Sequence, residues 1–564
     1  MSVDSSWSPL DGLYRWEKER PEAVYLTQPA RDHVWELTWA EASGEVRRMA
    51  AYLKSLSLKR GSRIAILGRN SAHWFLADLA IWMAGHVSVP IYPSLNADTL
   101  RYILEHSETS LLFVGALDDW PSMSGGVPAE LPIISLPGAQ FFGATSPRWG
   151  GIVEQTAPLK DNPRRQSDEL ASLIYTSGTT GQSKGVMLSF KSFEISSTMF
   201  EPIIDLSVDD RLLSYLPLAH VFEGAAIFAS SLRVGFQVFF NESLQTFAAD
   251  MRRARPTVFH SVPRLWSKFQ QGVLAKLPQD KLDALLDDPA IGNATRLQVL
   301  SSLGLQDTRV AVSGSAPLPP ALIEWYRRLG LELLEGLGMS EDFAYSHVSR
   351  IGRSRAGYVG EPLPGVDRRI SDSGELLIRS PARMLGYYKA PDLTSDAFTA
   401  DGFFKTGDLA DIDELGRLRL TGRLKELFKT AKGKYVSPAP IECKFVHPAI
   451  EAVCVVGANL GQPFALAMLS ADAQRGLSTE AARSAFEASL AEVMKQVNQT
   501  LDPHEQLGFI VVVKEPWTID NGFLTPTMKV KRMAIEKHYQ PMFDSWVSQC
   551  RQLIWETTLN AAPA

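Results

Sequence analysis

The chain is 564 residues long, 45% hydrophobic and 21% charged, with a net charge of −6 at pH 7. That is the composition of a soluble globular protein with an ample core, and it lacks the basic field that nucleic-acid binding would need. Its three cysteines, Cys443, Cys454 and Cys550, are too few and too scattered for a disulfide framework or a zinc-ligand set, and they fit a reducing compartment.

The opening stretch MSVDSSWSPLDGLYRWEKER has no apolar segment behind a basic start, so it does not read as a secretory signal. Next, TWAEASGEVRRMAAYL places Thr38 and Glu41 at capping-box spacing and Val46, Met49 and Leu53 on one face, which predicts a helix. SRIAILG reads as a buried strand, SAHWFLADLAIWMAG as a helix and VSVPIY as the next strand. The most apolar window, Leu79 to Leu95, contains His86 and two prolines and predicts helix, turn and strand rather than a membrane span. Loose contact with a membrane surface stays open. The segments TVFHSVPRLWSKFQQGVLAKL and TRVAVSGSAPLPPALIEWYRRLGLELLEGLG repeat the strand-then-helix order. Such alternation predicts an α/β fold of parallel sheets with helices on both faces.

After about residue 370 the pattern changes. GELLIRS, GFFKTGDLADID and GRLRLTGRLKEL are short alternating strands separated by Gly and Asp turns, as in a small antiparallel sheet. The tail then reads strand, strand, helix, strand, the helix running from Thr479 to Val497 with Phe486, Leu490, Val493 and Val497 on one face. The predicted organisation is a large domain over residues 1–424 with a β-rich subdomain, a connecting segment at 425–433 and a small α+β domain over 434–564.

One loop demands a chemical explanation. In YTSGTTGQSKG, Gly178, Gly181 and Gly185 free the backbone to turn its amides outward, Thr176, Ser177, Thr179 and Thr180 add hydroxyls, and Lys184 adds one positive charge. Such a nest suits phosphate oxygens. Its spacing is not that of a P-loop, where the lysine follows glycine and precedes Ser or Thr.

The loop resembles the signature of the adenylate-forming enzymes, and other segments resemble that superfamily's motifs in order. They are LPLAHVFE, RPTVFHSVPRLW, VSGSAPL, EGLGMSE, KTGDLADIDELGRLRLTGRLKELFKTAKGKYVSP and LTPTMKVKR. The second is most like that of the long-chain fatty-acid–CoA ligases. Four positions depart from the pattern: Leu337 stands for a tyrosine, Ser340 for a threonine, Ser183 for a proline and Phe190 for a histidine. Leu337 would weaken stacking on adenine.

The resemblance implies ATP, Mg²⁺ and CoA as cofactor and co-substrates, with the following roles. Thr176, Ser177, Gly178, Thr179, Thr180, Gly181 and Lys184 would hold phosphates, and Glu341 would hold Mg²⁺. Ser340 would lie near the α-phosphate. Gly314, Ser315, Ala316, Glu335, Gly336, Leu337 and Gly338 would line the nucleotide, with Asp408 and Arg423 at the ribose. His220 would gate or orient the substrate carboxylate. Lys529 would reach the carboxylate and α-phosphate from the mobile domain, Lys425 would be the hinge and Gly433 would line the CoA path. The neighbours of Lys529, Lys531 and Arg532, also read as a solvated basic face.

The implied function is ATP-dependent ligation of a medium- to long-chain fatty acid to CoA through acyl-AMP. An acyl carrier protein as acceptor is one alternative, and a non-catalytic nucleotide-binding protein is another. A cytoplasmic location, with or without peripheral membrane contact, is expected. Gly224, Ala225, Ala226 and Ala229 are expected to leave room for the acyl chain along one helix face.

Overall fold

Helices begin where the sequence supplies a cap. Thr38 donates its amide to Glu41 Oε2 at 2.8 Å and its hydroxyl accepts from the Glu41 amide at 3.3 Å, closing the predicted capping box ahead of Trp39–Ser55. Val46, Met49 and Leu53 are buried on that helix. Ser71 caps Ala72–Met83, a helix buried on every side as its apolar circumference requires, with Asp78 in its middle. The chain then turns into the strand Val87–Ile91, and no helix among the described residues is long and apolar enough to cross a membrane.

The computed structural model describes residues 7–31, 33–139, 147–176, 183–525 and 528–556. They form two units. The first comprises the chain to 316 with 320–368 and 378–404, and the second comprises 405 onward with 317–319 and 369–377. The boundary predicted after residue 424 falls inside the second unit. There Phe404–Ile412 pairs antiparallel with Leu418–Arg423, and Ser437 donates its hydroxyl to the Thr421 carbonyl at 2.8 Å.

In the first unit a seven-stranded sheet runs in the order Gly386–Tyr387, Lys184–Ser189, Leu170–Thr176, Val87–Ile91, Arg63–Leu67, Thr109–Val114, Ile133–Ser135. The last five strands are parallel to one another, as predicted. Lys184–Ser189 is antiparallel to Leu170–Thr176, because the glycine-hydroxyl loop is too short for a parallel crossover, and Gly386–Tyr387 pairs antiparallel with Lys184–Ser189 in turn. A five-stranded sheet has the same mixed character. Val258–Ser261, Val310–Ser313 and Leu333–Leu337 are parallel, whereas His347–Val348 and Glu361–Pro362 turn back antiparallel. A third sheet orders His33–Thr38, Val24–Ala30, Gln237–Phe240 and Arg211–Ser214. The sheets are therefore mixed rather than wholly parallel.

The second unit centres on a sheet of Ile450–Val456, Phe464–Leu469, Ile510–Val513 and Leu553–Trp555. Alternation along one strand divides its two cores. Phe464, Leu466 and Met468 face a cluster with Trp517, Ile535 and Trp546, while Ala465, Ala467 and Leu469 face Phe486, Leu490 and Val497. The helix carrying the latter three spans Glu480–Asn498, capped by Thr479. Met494 is buried on it, whereas Val493 is only partly so, because successive steps of four from Phe486 reach 494.

Candidate functional site

The glycine-hydroxyl loop connects two strands in which Thr176 stands opposite Lys184. Ser177, Gly178, Thr179, Thr180 and Gly181 lie outside the described residues. At the loop's far end Tyr102 donates its hydroxyl to the Ser183 carbonyl at 3.1 Å. Lys184 Nζ lies 5.1 Å from the centroid of the Tyr387 ring, and the Tyr387 hydroxyl donates to Glu341 Oε1 at 2.8 Å. One tyrosine therefore connects the predicted phosphate lysine to the predicted metal carboxylate. Burial and the neighbouring Glu341 charge both push its phenol well up, so it acts as a donor. Tyr387 escaped the sequence reading. Its signal, an aromatic in a two-residue strand, becomes visible only when that strand is seen beside Lys184–Ser189.

Glu341 sits in the short 3-10 helix Ser340–Asp342, and its carbonyl accepts from the Met384 amide at 2.7 Å. The turn folds back tightly on itself. A Cβ on Gly338 would lie 2.5 Å from Ala344 Cα, so only glycine permits the approach. Phe343 and Ala344 hold φ at 48° and 63°, a sparsely populated region for residues with a Cβ. Burial pushes the adjoining Asp342 carboxyl up to about 7, although the Met339 amide donates to it.

Beside the turn lies a cleft. Its apolar wall includes Met199, Phe200, Ile203, Val221, Phe222 and Leu363, and it brings together His220, Gly314, Ser315, Gly336, Leu337 and Gly338. Among the described residues no lysine, arginine, aspartate or glutamate lines it. Ser315 takes φ 71° as the chain leaves Val310–Ser313. Ala316 and Glu335 do not line the cleft. Glu335 is buried and accepts from the Gly357 amide at 3.0 Å.

His220 Nδ1 accepts from the Phe222 amide at 3.3 Å, which leaves Nε2 to carry the proton of a neutral ring. The segment bearing it is pinned from behind. Asn70 accepts from the Leu218 amide at 3.1 Å and donates to the Leu216 carbonyl at 2.6 Å. Fully buried Glu223 accepts from Ser214 Oγ at 2.7 Å and the Tyr215 amide at 3.0 Å, and pairs with His260 Nε2 at 2.8 Å. Glu223 and His260 lie in LPLAHVFE and VFHSVPRLW but received no role there. A charge or an imidazole inside an apolar run was the available signal.

The expected room along Gly224, Ala225, Ala226 and Ala229 is not found. These residues lie in a buried π-helical turn, and none lines the cleft. A Cβ on Gly224 would come within 3.3 Å of the Phe343 ring, so small size here serves close packing.

In the second unit Asp408 and Arg423 stand opposite each other in paired strands, with Arg423 Nε 2.8 Å from Asp408 Oδ1. Lys529 lies close enough for its charge to act on Asp408. Burial raises the Asp408 carboxyl, while Arg423 and Lys529 pull it back down. Lys529 keeps an exposed face, yet protein crowded around its ammonium lowers its pKa, the Arg423 charge adds to that, and Asp408 opposes both. Its amide donates to Thr525 Oγ1 at 3.0 Å.

Arg532 is not part of a solvated basic face. It grips Glu442 through two hydrogen bonds of 2.7 and 2.8 Å and donates to the Val455 carbonyl at 2.8 Å, anchoring the segment three residues after Lys529. Lys425 is exposed in the turn Leu424–Glu426, and Gly433 takes φ 72° between the strands Phe428–Lys429 and Tyr435–Val436. Among the described residues no group of three His, Cys, Asp or Glu side chains could hold a metal ion.

Residues 13–388 match the family model described as AMP-binding enzyme, and residues 426–549 match that of the AMP-binding enzyme C-terminal domain. The chain is similar to a long-chain-fatty-acid–CoA ligase, FadD15, of Mycobacterium bovis, at 34% identity over 93% of this chain and 95% of that one. It is 28% identical to the peroxisomal long chain acyl-CoA synthetase 6 of Arabidopsis thaliana, covering 90% of this chain and 81% of the relative. Its fold is like that of the anthranilate CoA ligase AuaEII solved in complex with anthranoyl-AMP, with a TM-score of 0.78 at 22% identity over 96% and 99% of the two chains. The A-PCP didomain of a Segniliparus rugosus carboxylic acid reductase, in complex with AMP, gives 0.79 at 21% identity over 96% and 82%.

Proposed function

This chain belongs to the AMP-binding enzyme family, and we propose that it is an ATP-dependent long-chain fatty-acid–CoA ligase. The observation that carries this reading is the cleft beside His220, walled by Met199, Phe200, Ile203, Val221, Phe222 and Leu363 and, among the described residues, lined by no charged side chain. The names of the relatives support the same acid and the same acceptor.

A carboxylate is a poor electrophile, so joining it to a thiol needs prior activation. Its oxygen attacks the α-phosphate of ATP, the bond to pyrophosphate breaks, and acyl-AMP forms. The CoA thiolate then displaces AMP. Negative charge gathers on phosphate oxygens in the first step, which calls for fixed cations and dipoles. Lys184, with Thr176 and the loop that follows it, holds the β- and γ-phosphates, and Ser340 offers its hydroxyl to the α-phosphate. Gly314 to Ala316 and Leu337 flank the base, and Asp408 and Arg423 bind the ribose. His220, neutral with its proton on Nε2, donates to the substrate carboxylate or the carbonyl formed from it.

Glu341 fits a magnesium site. A lone carboxylate steadied by Tyr387, with no further protein ligands clustered near it among the described residues, suits an ion that takes one or two carboxylates together with substrate phosphates. The ion would supply charge neutralisation at those phosphates. Lys529 supplies the cation for the first half-reaction. The domain over 434–564 turns at Lys425 within the 425–433 hinge, bringing Gly433 to the pantetheine path for the second.

Pyrophosphate release across a panel of carboxylic acids, with and without CoA, tests this. Each buried methylene contributes about 0.8 kcal/mol, so kcat/KM should climb steeply from acetate to a chain of roughly ten to sixteen carbons. Preference for acetate, an amino acid or an aryl acid would overturn the fatty-acid assignment. Pyrophosphate release followed by acyl transfer only to a carrier protein would overturn the CoA acceptor.

A further inference from the structure

The helix Ala97–His106, capped by Asn96, buries Leu100, Ile103 and Leu104 and turns Tyr102 and His106, four residues apart, to another flank. Their rings stack with centroids 5.2 Å apart. Each carries a polar atom to one root of the glycine-hydroxyl loop. Where the chain enters the loop, the Tyr175 hydroxyl lies 2.8 Å from His106 Nδ1. Where the chain leaves it, the Tyr102 hydroxyl donates to the Ser183 carbonyl at 3.1 Å. Residues 177–182, between the two roots, lie outside the described residues.

The end of the helix is fastened as well. Lys389 donates to the His106 carbonyl and to Glu108 Oε1, each at 2.9 Å, which places a cation at the helix C-terminus. Tyr388 sets its ring perpendicular to that of His106 and donates its amide to the Gly185 carbonyl at 2.8 Å. A Cβ on Gly185 would lie 3.2 Å from Tyr175 Cζ and 3.4 Å from Tyr388 Cβ, so the chain has little room to shift there. The backbone is therefore held on both sides of Lys184. The Ser183 carbonyl belongs to the peptide group whose nitrogen is that of Lys184. That group is planar, so a hydrogen bond that fixes its oxygen also fixes the direction in which Lys184 departs. The rings of Tyr102 and Tyr175 pack against the core, whereas their hydroxyls make the polar bonds, so removing one oxygen separates the clamp from the packing.

We propose that Tyr102 and His106 are positioning residues for phosphate binding: one helix clamps both roots of the loop and holds Lys184 toward the β- and γ-phosphates of ATP. This rests on the role proposed above for Lys184 and adds how the chain prepares it. A loop ordered before its ligand arrives loses less freedom on binding, which strengthens the complex.

ATP and AMP binding are measured by calorimetry, without a carboxylic acid present, on wild-type protein, Tyr102→Phe, Tyr175→Phe, Lys184→Ala and the double variant of Tyr102→Phe with Lys184→Ala. Tyr102→Phe and Tyr175→Phe should each weaken ATP binding by about three- to tenfold, as loss of one hydrogen bond implies. AMP has no β- or γ-phosphate and should bind as it does to wild type. In the Lys184→Ala background the effect of Tyr102→Phe on ATP should vanish, because the clamp acts through Lys184. Equal weakening of ATP and AMP would show the contacts to be structural alone and overturn the clamp. So would an effect that persists undiminished in the Lys184→Ala background, or unchanged ATP affinity in both tyrosine variants while Lys184→Ala weakens it. Unchanged ATP affinity in Lys184→Ala would overturn the phosphate role of Lys184, and the clamp with it.

Discussion

The cleft of the first unit and the Lys529 segment of the second bury ionisable side chains in opposite ways. Around the cleft burial removes charge. His347 is held neutral, Asp342 is pushed toward its acid form, and Asp78, deeper in the same unit, is pushed to about 7. Around Lys529 charge is kept by pairing. Asp408 meets Arg423, and Arg532 meets Glu442 through two hydrogen bonds. The difference fits the roles proposed for the two regions. An acyl chain needs a surface with no field acting on it, whereas a carboxylate attacking a phosphate needs cations held in place. A buried charge is tolerable only when its partner is fixed.

The contrast breaks most sharply at Arg532. Arg532→Met strands Glu442 and should destabilise the second unit by about 3 to 5 kcal/mol. Hydrogen exchange would show amides of Ile450–Val456 and Phe464–Leu469 opening more readily, with Arg63–Leu67 unaffected. Next is Lys529→Ala, which should slow acyl-AMP formation by about a hundred- to a thousandfold. Thioester formation from supplied acyl-AMP should survive, because the role proposed for the cation is confined to the first half-reaction. Single-turnover measurement of each half-reaction decides it, and equal loss in both would refute the role.

Asp78 tests the neutralising side. Burial pushes its carboxyl from the ordinary 3.8 up to about 7, outweighing the smaller pull of Ser88 and Trp74. Folding therefore takes up a proton between those values, and this contribution to stability falls as pH rises through about 7. Asp78→Asn removes the dependence and should stabilise the protein by about 2 to 4 kcal/mol at pH 8. The gain should shrink toward nothing near pH 4, as thermal melts at the two pH values would reveal. The smallest effect sharpens the comparison within the cleft. Leu337→Tyr should tighten ATP binding by about 0.5 to 1.5 kcal/mol, or roughly two- to tenfold, measured by calorimetry.

Much of this architecture was legible from the sequence because its elements announce themselves locally. Thr38 and Glu41 specify a helix start, and RIAIL reads as a strand because it is short, rich in β-branched residues and flanked by Gly61 and Gly68. The motif residues were legible one at a time. Connections made across the fold were not. Tyr387 joins Lys184 to Glu341 only because a two-residue strand adds to a distant hairpin. Arg532 looked like a surface charge because its partner, Glu442, is 90 residues away. The small residues after Glu223 misled for the same reason: only the structure puts the Phe343 ring against Gly224.

The strand Phe464–Leu469 has a consequence for how the second unit finds its fold. Its bulky and small side chains alternate toward two separately shaped cores. A slip of one residue against Ile450–Val456 would turn Phe464 into space shaped for alanine and leave holes where Phe464, Leu466 and Met468 belong. Misaligned versions of this sheet therefore fail on both faces at once, and the six residues FALAML act as a proofreading step in folding as well as a source of stability.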